Sequence, residues 1–204
     1  MGGPNIGRLR DFVAAATAAM GPHGLDETAA HAKLGPLLRD LVAHDDWLPD
    51  AFAQPHPEFY RQYLLHCDPA ERFSVVSFVW GPGQSTPVHD HTVWGLIGIL
   101  RGAERCRFYD RDRDGRLVPL GEERLEAGQL STLGPASGDI HTVANAFDDR
   151  VSVAIHVYGG NIGAVARHVF DPATGAPKDF VSGYASPTMP NLWDRSADVR
   201  AKLG

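Results

Sequence analysis

The chain has 204 residues, 43% of them hydrophobic and 22% charged, with a formal net charge of −6. That length fits a single domain, 1–204, able to bury roughly 70% of its unfolded surface, and the acidic balance lacks the basic footprint of a nucleic-acid binder. The longest apolar runs, 12–20 and 94–100, are too short to span a membrane. The N-terminus lacks the layout of a secretory signal, and two cysteines, Cys67 and Cys106, fit a reducing cytoplasm.

Residues 6–20 carry Leu9, Phe12, Val13 and Ala16 at helical spacing, and Gly21-Pro22 closes that helix. A second helix is expected from the start signal at Asp26 through Leu34, Leu37, Leu38, Leu41 and Val42. A third, short one is expected over 57–65, with Phe59, Tyr63 and Leu64 facing inward. The texture changes after Arg72. Segments 73–80, 93–100, 104–109, 118–120, 128–133, 141–144, 151–158 and 164–170 are short, β-branched or alternating, and separated by Gly, Pro, Asp or Asn. Asp112 to Arg116 reads as a hairpin tip. Eight or more such strands predict a mainly β fold, a jelly-roll barrel over 71–172. A helical flank covers 1–70, and an irregular wrap covers 173–204, most plainly from Tyr184 onward. Trp80, Trp94 and Phe78 are expected in the barrel walls.

Of ten histidines, His23, His31, His44 and His56 lie in polar loop or helix contexts and read as surface residues. His89 and His91 are different. Two residues apart on an extended segment, they project from one face. His141 follows a second turn, containing Pro135 and Gly138. A lone buried histidine is ordinarily a hydrogen-bonded core residue, but three converging imidazoles make a transition-metal site with positions left for substrate. On another strand, His156 and Tyr158 share a face, where a phenol beside an imidazole can donate a hydrogen bond to a group held at the metal.

Gly83, His89, His91 and Gly102, then Pro135, Gly138, His141 and Asn145, resemble the paired motifs of the cupin superfamily. Gly95 stands where many cupins place a glutamate ligand. Three neutral imidazoles leave the full +2 charge of a metal to be balanced by what binds, which suits a thiolate. With His156 and Tyr158 added, residues 57–170 resemble the thiol dioxygenases, the cupin family that includes cysteine dioxygenase.

That resemblance implies Fe(II) held by His89, His91 and His141, and addition of both atoms of O2 to a small thiol to give a sulfinate, with Tyr158 and His156 as catalytic residues. Where mammalian-type members carry a carboxylate-binding arginine, this chain has Gln62, with Arg61 turned about 100° away on the expected helix. This resembles the glutamine-type bacterial branch, in which a later arginine, matched here by Arg167, holds the substrate carboxylate. The implied substrate is 3-mercaptopropionate, with cysteine or mercaptosuccinate as alternatives. The family's cysteine–tyrosine crosslink is lost because Gly95 occupies the cysteine slot. The serine of its serine–histidine–tyrosine trio is replaced by Ala154, which is expected to loosen His156, and Ser152 is too far away to substitute. A cupin dioxygenase cleaving a carbon–carbon bond, or a non-enzymatic ligand sensor, are the competing readings. The expected partners are a small thiol and O2, with no nucleic acid or membrane, in a cytoplasmic monomer or weak homo-oligomer.

Overall fold

The structure is a computed structural model that describes residues 6–185 and 196–203. Two helices, α1 (Gly7–Ala19) and α2 (Glu27–Val42), precede eleven strands: β1 (Arg61–Cys67), β2 (Ser74–Trp80), β3 (Val88–His89), β4 (Gly95–Arg101), β5 (Ala103–Arg111), β6 (Leu117–Glu126), β7 (Leu130–Leu133), β8 (Ile140–Asn145), β9 (Ser152–Tyr158), β10 (Arg167–Phe170) and β11 (Pro177–Phe180). A last helix, α3, covers Ser196–Leu203. The strands form two antiparallel sheets, β1-β2-β9-β4-β7 and β11-β10-β3-β8-β5-β6. Among the described residues, no helix is long and apolar enough to cross a membrane.

The five-stranded sheet is buried on both faces, and strand alternation divides its side chains between two cores. Val75 and Val79 of β2, and Val153, Ile155 and Val157 of β9, pack against Phe12 of α1 and Leu34 and Leu38 of α2. The intervening residues, Val76, Phe78 and Trp80, with Ala154 and Tyr158, face the barrel interior beside Cys106, Leu133 and Val143. Each fully buried Leu or Phe in these layers contributes about 1.5–3 kcal/mol. The helices sit close because β4 offers no side chain at Gly98. A Cβ there would come within 3.0 Å of Val42 and 3.1 Å of Leu38. Asp26 caps α2, accepting a 2.8 Å hydrogen bond from the Ala29 N–H.

Three expectations are corrected. Residues 57–65 do not form a helix: β1 pairs with β2 from Arg61↔Val79 to Cys67↔Ser74. Tyr63 therefore packs on the helix side while Leu64 enters the barrel, and Phe59 is 50% exposed. Pairing with β2 overrides the local apolar spacing that imitates a helix. Arg61 and Gln62, as strand neighbours, leave on opposite faces rather than 100° apart. Second, the ladders extend beyond 71–172 at both ends, through β1 and β11. Third, the tail is not wholly irregular, since 196–203 is helical, while 186–195 lies outside the described residues. Trp94 is a wall residue on the helix side, its indole N–H donating to the Leu25 carbonyl at 2.9 Å.

The interior also holds a carboxyl that the sequence pattern did not single out. Glu104 of β5 is fully buried, and neither carboxyl oxygen has a hydrogen bond of ordinary geometry. Burial pushes it up to about 8, offset only in part by the Trp80 N–H. Its folded pKa lies above the unfolded value, so the neutral acid is tolerated at low pH and the fold loses stability as pH rises from about 4.5 towards 8. We expect Glu104→Gln to stabilise the protein at pH 8 by on the order of 2–4 kcal/mol, with little change at pH 4.5. Thermal melts at the two pH values check this, and an equal shift at both would contradict it.

Candidate metal centre

β3 and β8 are short neighbours in the six-stranded sheet, and their one register pair is His89↔His141. That pairing brings together imidazoles widely separated in sequence. His91 lies just past the end of β3 and completes the group. The ring centroids of His89, His91 and His141 are 4.8 Å apart for every pair, and one nitrogen from each lies within 4.8 Å of the others. All three side chains are buried.

Burial also sets their charge. His89 is pulled down to about 4 by desolvation, with Arg167 adding to the effect, and desolvation first and the other histidines second hold His91 and His141 well below the ordinary value. All three are therefore neutral at pH 7, the form that ligates a metal.

The outer nitrogens of His89 and His91 are tied back. His89 Nδ1 lies 3.1 Å from the Pro87 carbonyl, and His91 Nδ1 lies 2.9 Å from Asp139. This leaves each Nε2 for the centre. Asp139 does more, because its second oxygen accepts the backbone N–H of His91 at 3.0 Å and of Thr92 at 2.8 Å. Thr92 has φ 58°, a left-handed conformation that a β-branched residue adopts only when held. The strained turn lies on the short connection that carries the chain from β3 in one sheet to β4 in the other. Three inward nitrogens from neutral, oriented imidazoles fit a divalent transition metal, and no carboxylate belongs to the cluster.

Beside the triad, the Tyr158 ring stacks on His91 at 5.5 Å, and its hydroxyl lies 2.8 Å from His156 Nδ1. Burial lowers His156 to about 3 and raises Tyr158, so both are neutral. A Cβ at Gly95 would meet the Tyr158 ring at 3.1 Å, so this glycine makes room for the phenol. Ala154 offers His156 no hydrogen bond, and His156 Nε2 is buried without a partner, so the ring is positioned by two other contacts. Its ring stacks on Phe78 at 4.2 Å, and Tyr158 fixes its other side. Ser152 is engaged elsewhere, with Ala103 and Asn145.

Arg167 and Gln62 are brought together, at 3% and 7% exposure, both donating to Ser182 Oγ at 2.8 Å. The Arg167 guanidinium stacks over Phe180 at 4.7 Å and has no carboxylate partner among the described residues. With His89, Arg167 lines an inner cavity of about 20 Å³. A larger outer cavity of about 350 Å³, lined by Ser182, adjoins it, and the two share Tyr60, Gln62 and Phe180. Sequence reasoning missed Asp139, Thr92 and Ser182. Asp139 was open to discovery, as the acid in the turn before His141. Ser182 carries no local signal at all.

A two-sheet barrel holding three histidines in this way is a cupin-type metal centre. The chain belongs to the cysteine dioxygenase type I family, whose model matches residues 44–170. It is 24% identical over 107 residues to cysteine dioxygenase type 1 of Rattus norvegicus and 25% identical over 108 residues to that of Danio rerio, covering 51% of this chain and 52% of each relative. The chain thus matches about half the length of these curated relatives. Among solved structures, a Thermus thermophilus protein is similar with a TM-score of 0.44 and 19% identity, over 54% of this chain and 92% of its own. A cupin superfamily protein from Desulfitobacterium hafniense is similar with a TM-score of 0.42 and 16% identity, over 56% and 91%.

Two outcomes are expected. Asp139→Ala should weaken metal binding by about 10–100-fold through loss of His91 orientation, measured by competition with a chelator. An unchanged affinity would remove Asp139 from the site. In the metal-free protein, the buried histidines have folded pKa values below 6.5, so the unfolded chain binds more protons between pH 6.5 and about 4. The histidines' contribution to stability should be fully present above pH 6.5 and decline as pH falls through that window, read as a falling urea midpoint in a Glu104→Gln background, which removes the opposite trend of that carboxyl. His141→Gln should flatten the decline.

Proposed function

We propose that this protein is an iron(II)-dependent thiol dioxygenase that converts a small carboxylated thiol, 3-mercaptopropionate in the first place, to its sulfinate. The observation that carries the reading is the buried guanidinium of Arg167, without a carboxylate partner among the described residues, on the same small cavity as His89. A buried cation with no carboxylate in contact is costly, since Asp90 and Asp139 act on it only through space, and an anionic substrate supplies the contact. Family membership supports the reaction class. The pairing of Gln62 with Arg167 supports the assignment to the glutamine-type branch.

The overall reaction joins both oxygen atoms of O2 to the thiol sulfur and releases the thiol proton. Iron(II) bound by His89, His91 and His141 would supply a Lewis-acidic, redox-active centre, and its uncompensated charge would favour the thiolate over the thiol. The remaining roles fall to this chain. Arg167 pairs with the carboxylate and Gln62 lies beside it, which fixes the distance from carboxylate to sulfur and favours a thiol whose two ends match that span.

Tyr158 is the polar group directed at the reactants. His156 Nε2 is buried with no partner. A buried bare nitrogen acceptor is tolerated better than a buried orphan N–H, so we assign the His156 proton to Nδ1, where it donates to the Tyr158 oxygen. The phenol O–H is then free to donate towards sulfur or oxygen. Tyr60 and Phe78 line the inner cavity with aromatic rings, and Trp80 packs against both.

Residues 1–204 act as one domain in this reading. The buried cysteines Cys67 and Cys106, in no disulfide, fit a reducing cytoplasm, and a monomer or weak homo-oligomer suffices.

Anaerobically iron-loaded protein offered 3-mercaptopropionate, L-cysteine and mercaptosuccinate should take up O2 fastest with 3-mercaptopropionate and give a product about 32 mass units heavier, the mass of two oxygen atoms. Arg167→Ala should raise KM for that thiol by about 10–100-fold, the loss of one buried charge-assisted pair. No uptake with any thiol despite bound iron would refute the proposal.

A further inference from the structure

The segment after β11, residues 181–185, lines the outer cavity through 182–185 and is anchored at both sides. The Arg200 guanidinium of α3 donates to the Val181 carbonyl at 2.8 Å, and Gly183 N–H donates to the Gly163 carbonyl at 2.9 Å. The Tyr184 hydroxyl accepts from Gly163 N–H at 2.8 Å and donates to Asn161 at 2.6 Å. The Ala185 N–H donates to the Gln62 carbonyl at 2.8 Å. Ser182 is thereby held at a fixed point between Gln62 and Arg167.

Its hydrogen bonds are lopsided. Ser182 Oγ accepts from Gln62 Nε2 and from Arg167 Nη2, both at 2.8 Å. These two bonds use both lone pairs of the hydroxyl. Its own O–H proton has no protein acceptor among the described residues, and Ser182 is half-buried on the outer cavity, where an entering ligand can reach it. Arg167 Nε, by contrast, is buried without a partner. Two donors therefore lack a protein acceptor on either side of one contact, and the residues lining the two cavities include no Asp or Glu. A buried donor such as Arg167 Nε is nearly always paired. The group that completes this set is an acceptor carrying negative charge.

We infer that Ser182 is a substrate-binding residue whose hydroxyl donates directly to the carboxylate paired with Arg167. The carboxylate takes its hydrogen bonds from the Ser182 O–H and from the guanidinium, while Gln62 holds Ser182 Oγ in place from behind. The inference rests on the reading of Arg167 as the carboxylate clamp. It adds a recognition element from outside the barrel strands, one that selects thiols bearing an anionic group and ignores the thiol end.

The test is a calorimetric titration of the metal-loaded protein with propionate, 3-mercaptopropionate and 2-mercaptoethanol, for wild type, Ser182→Ala and Ser182→Thr. Ser182→Ala should weaken both carboxylates by about tenfold or more and leave the neutral thiol unchanged, and Ser182→Thr, which keeps the hydroxyl, should restore most of the affinity. Arg167→Ala should lose propionate altogether. Wild type that fails to bind propionate would overturn the inference. So would Ser182→Ala that matches wild type, or two Ser182 variants that are equally weak for all three ligands. If wild type oxidises no thiol yet shows the propionate pattern, the thiol dioxygenase reading falls and the anion subsite stands.

Discussion

Three imidazoles crowded inside an apolar barrel must stay uncharged and must point one nitrogen each at a common centre. The carboxylate of Asp139 is where these demands meet. It holds His91 by both its ring and its backbone N–H, and holds Thr92 in a left-handed conformation. Without that anchor the strained turn has a lower-energy alternative, and His91 is free to leave the triangle. His89 and His141 are fixed more simply, by a single register pair between two short strands. The centre therefore depends on one turn and one strand pairing, both at the end of the barrel where the sheet ladder stops.

The rest of the molecule makes this arrangement rigid and selective. The helices cover the outer face of the five-stranded sheet, so β2, β4 and β9 can devote their inner faces to the site. β9 in particular places Val153, Ile155 and Val157 against the helices, while Ala154, His156 and Tyr158 look inward. One strand thus links the helical layer to the face that carries His156 and Tyr158. The C-terminal strap works from the other side, tying Gln62 of β1 and Arg167 of β10 through Ser182. Two sheets and a tail converge on one cavity wall.

The barrel and most of its site were legible in the sequence because they obey short-range rules. Alternation on 151–158 placed His156 and Tyr158 on one face, and the spacing of His89 and His91 did the same for that pair. Gly95 does lie against the Tyr158 ring, where its missing side chain was expected to matter. The failures have physical causes. Residues 57–65 carry helix-like apolar spacing, yet β2 offers a strand partner, and pairing decided the outcome. The reading of His156 from Ala154 alone did not include Phe78, whose stacking on the ring is a tertiary contact that no local pattern reveals. Ser182 lies 120 positions from Gln62 in sequence and was invisible for the same reason. Glu104 was overlooked because a single acidic residue in a strand ordinarily faces solvent.

For the proposed chemistry, His89, His91 and His141 must bind a divalent metal and leave it open to a thiolate. Cobalt(II) is a suitable probe, because thiolate ligation to it produces an intense sulfur-to-metal absorption in the near ultraviolet. Anaerobic protein loaded with one equivalent of cobalt(II) should develop that band on titration with 3-mercaptopropionate, saturating at one thiol per metal, and His141→Ala should abolish it. Stoichiometric cobalt binding with no such band for any thiol would contradict the account.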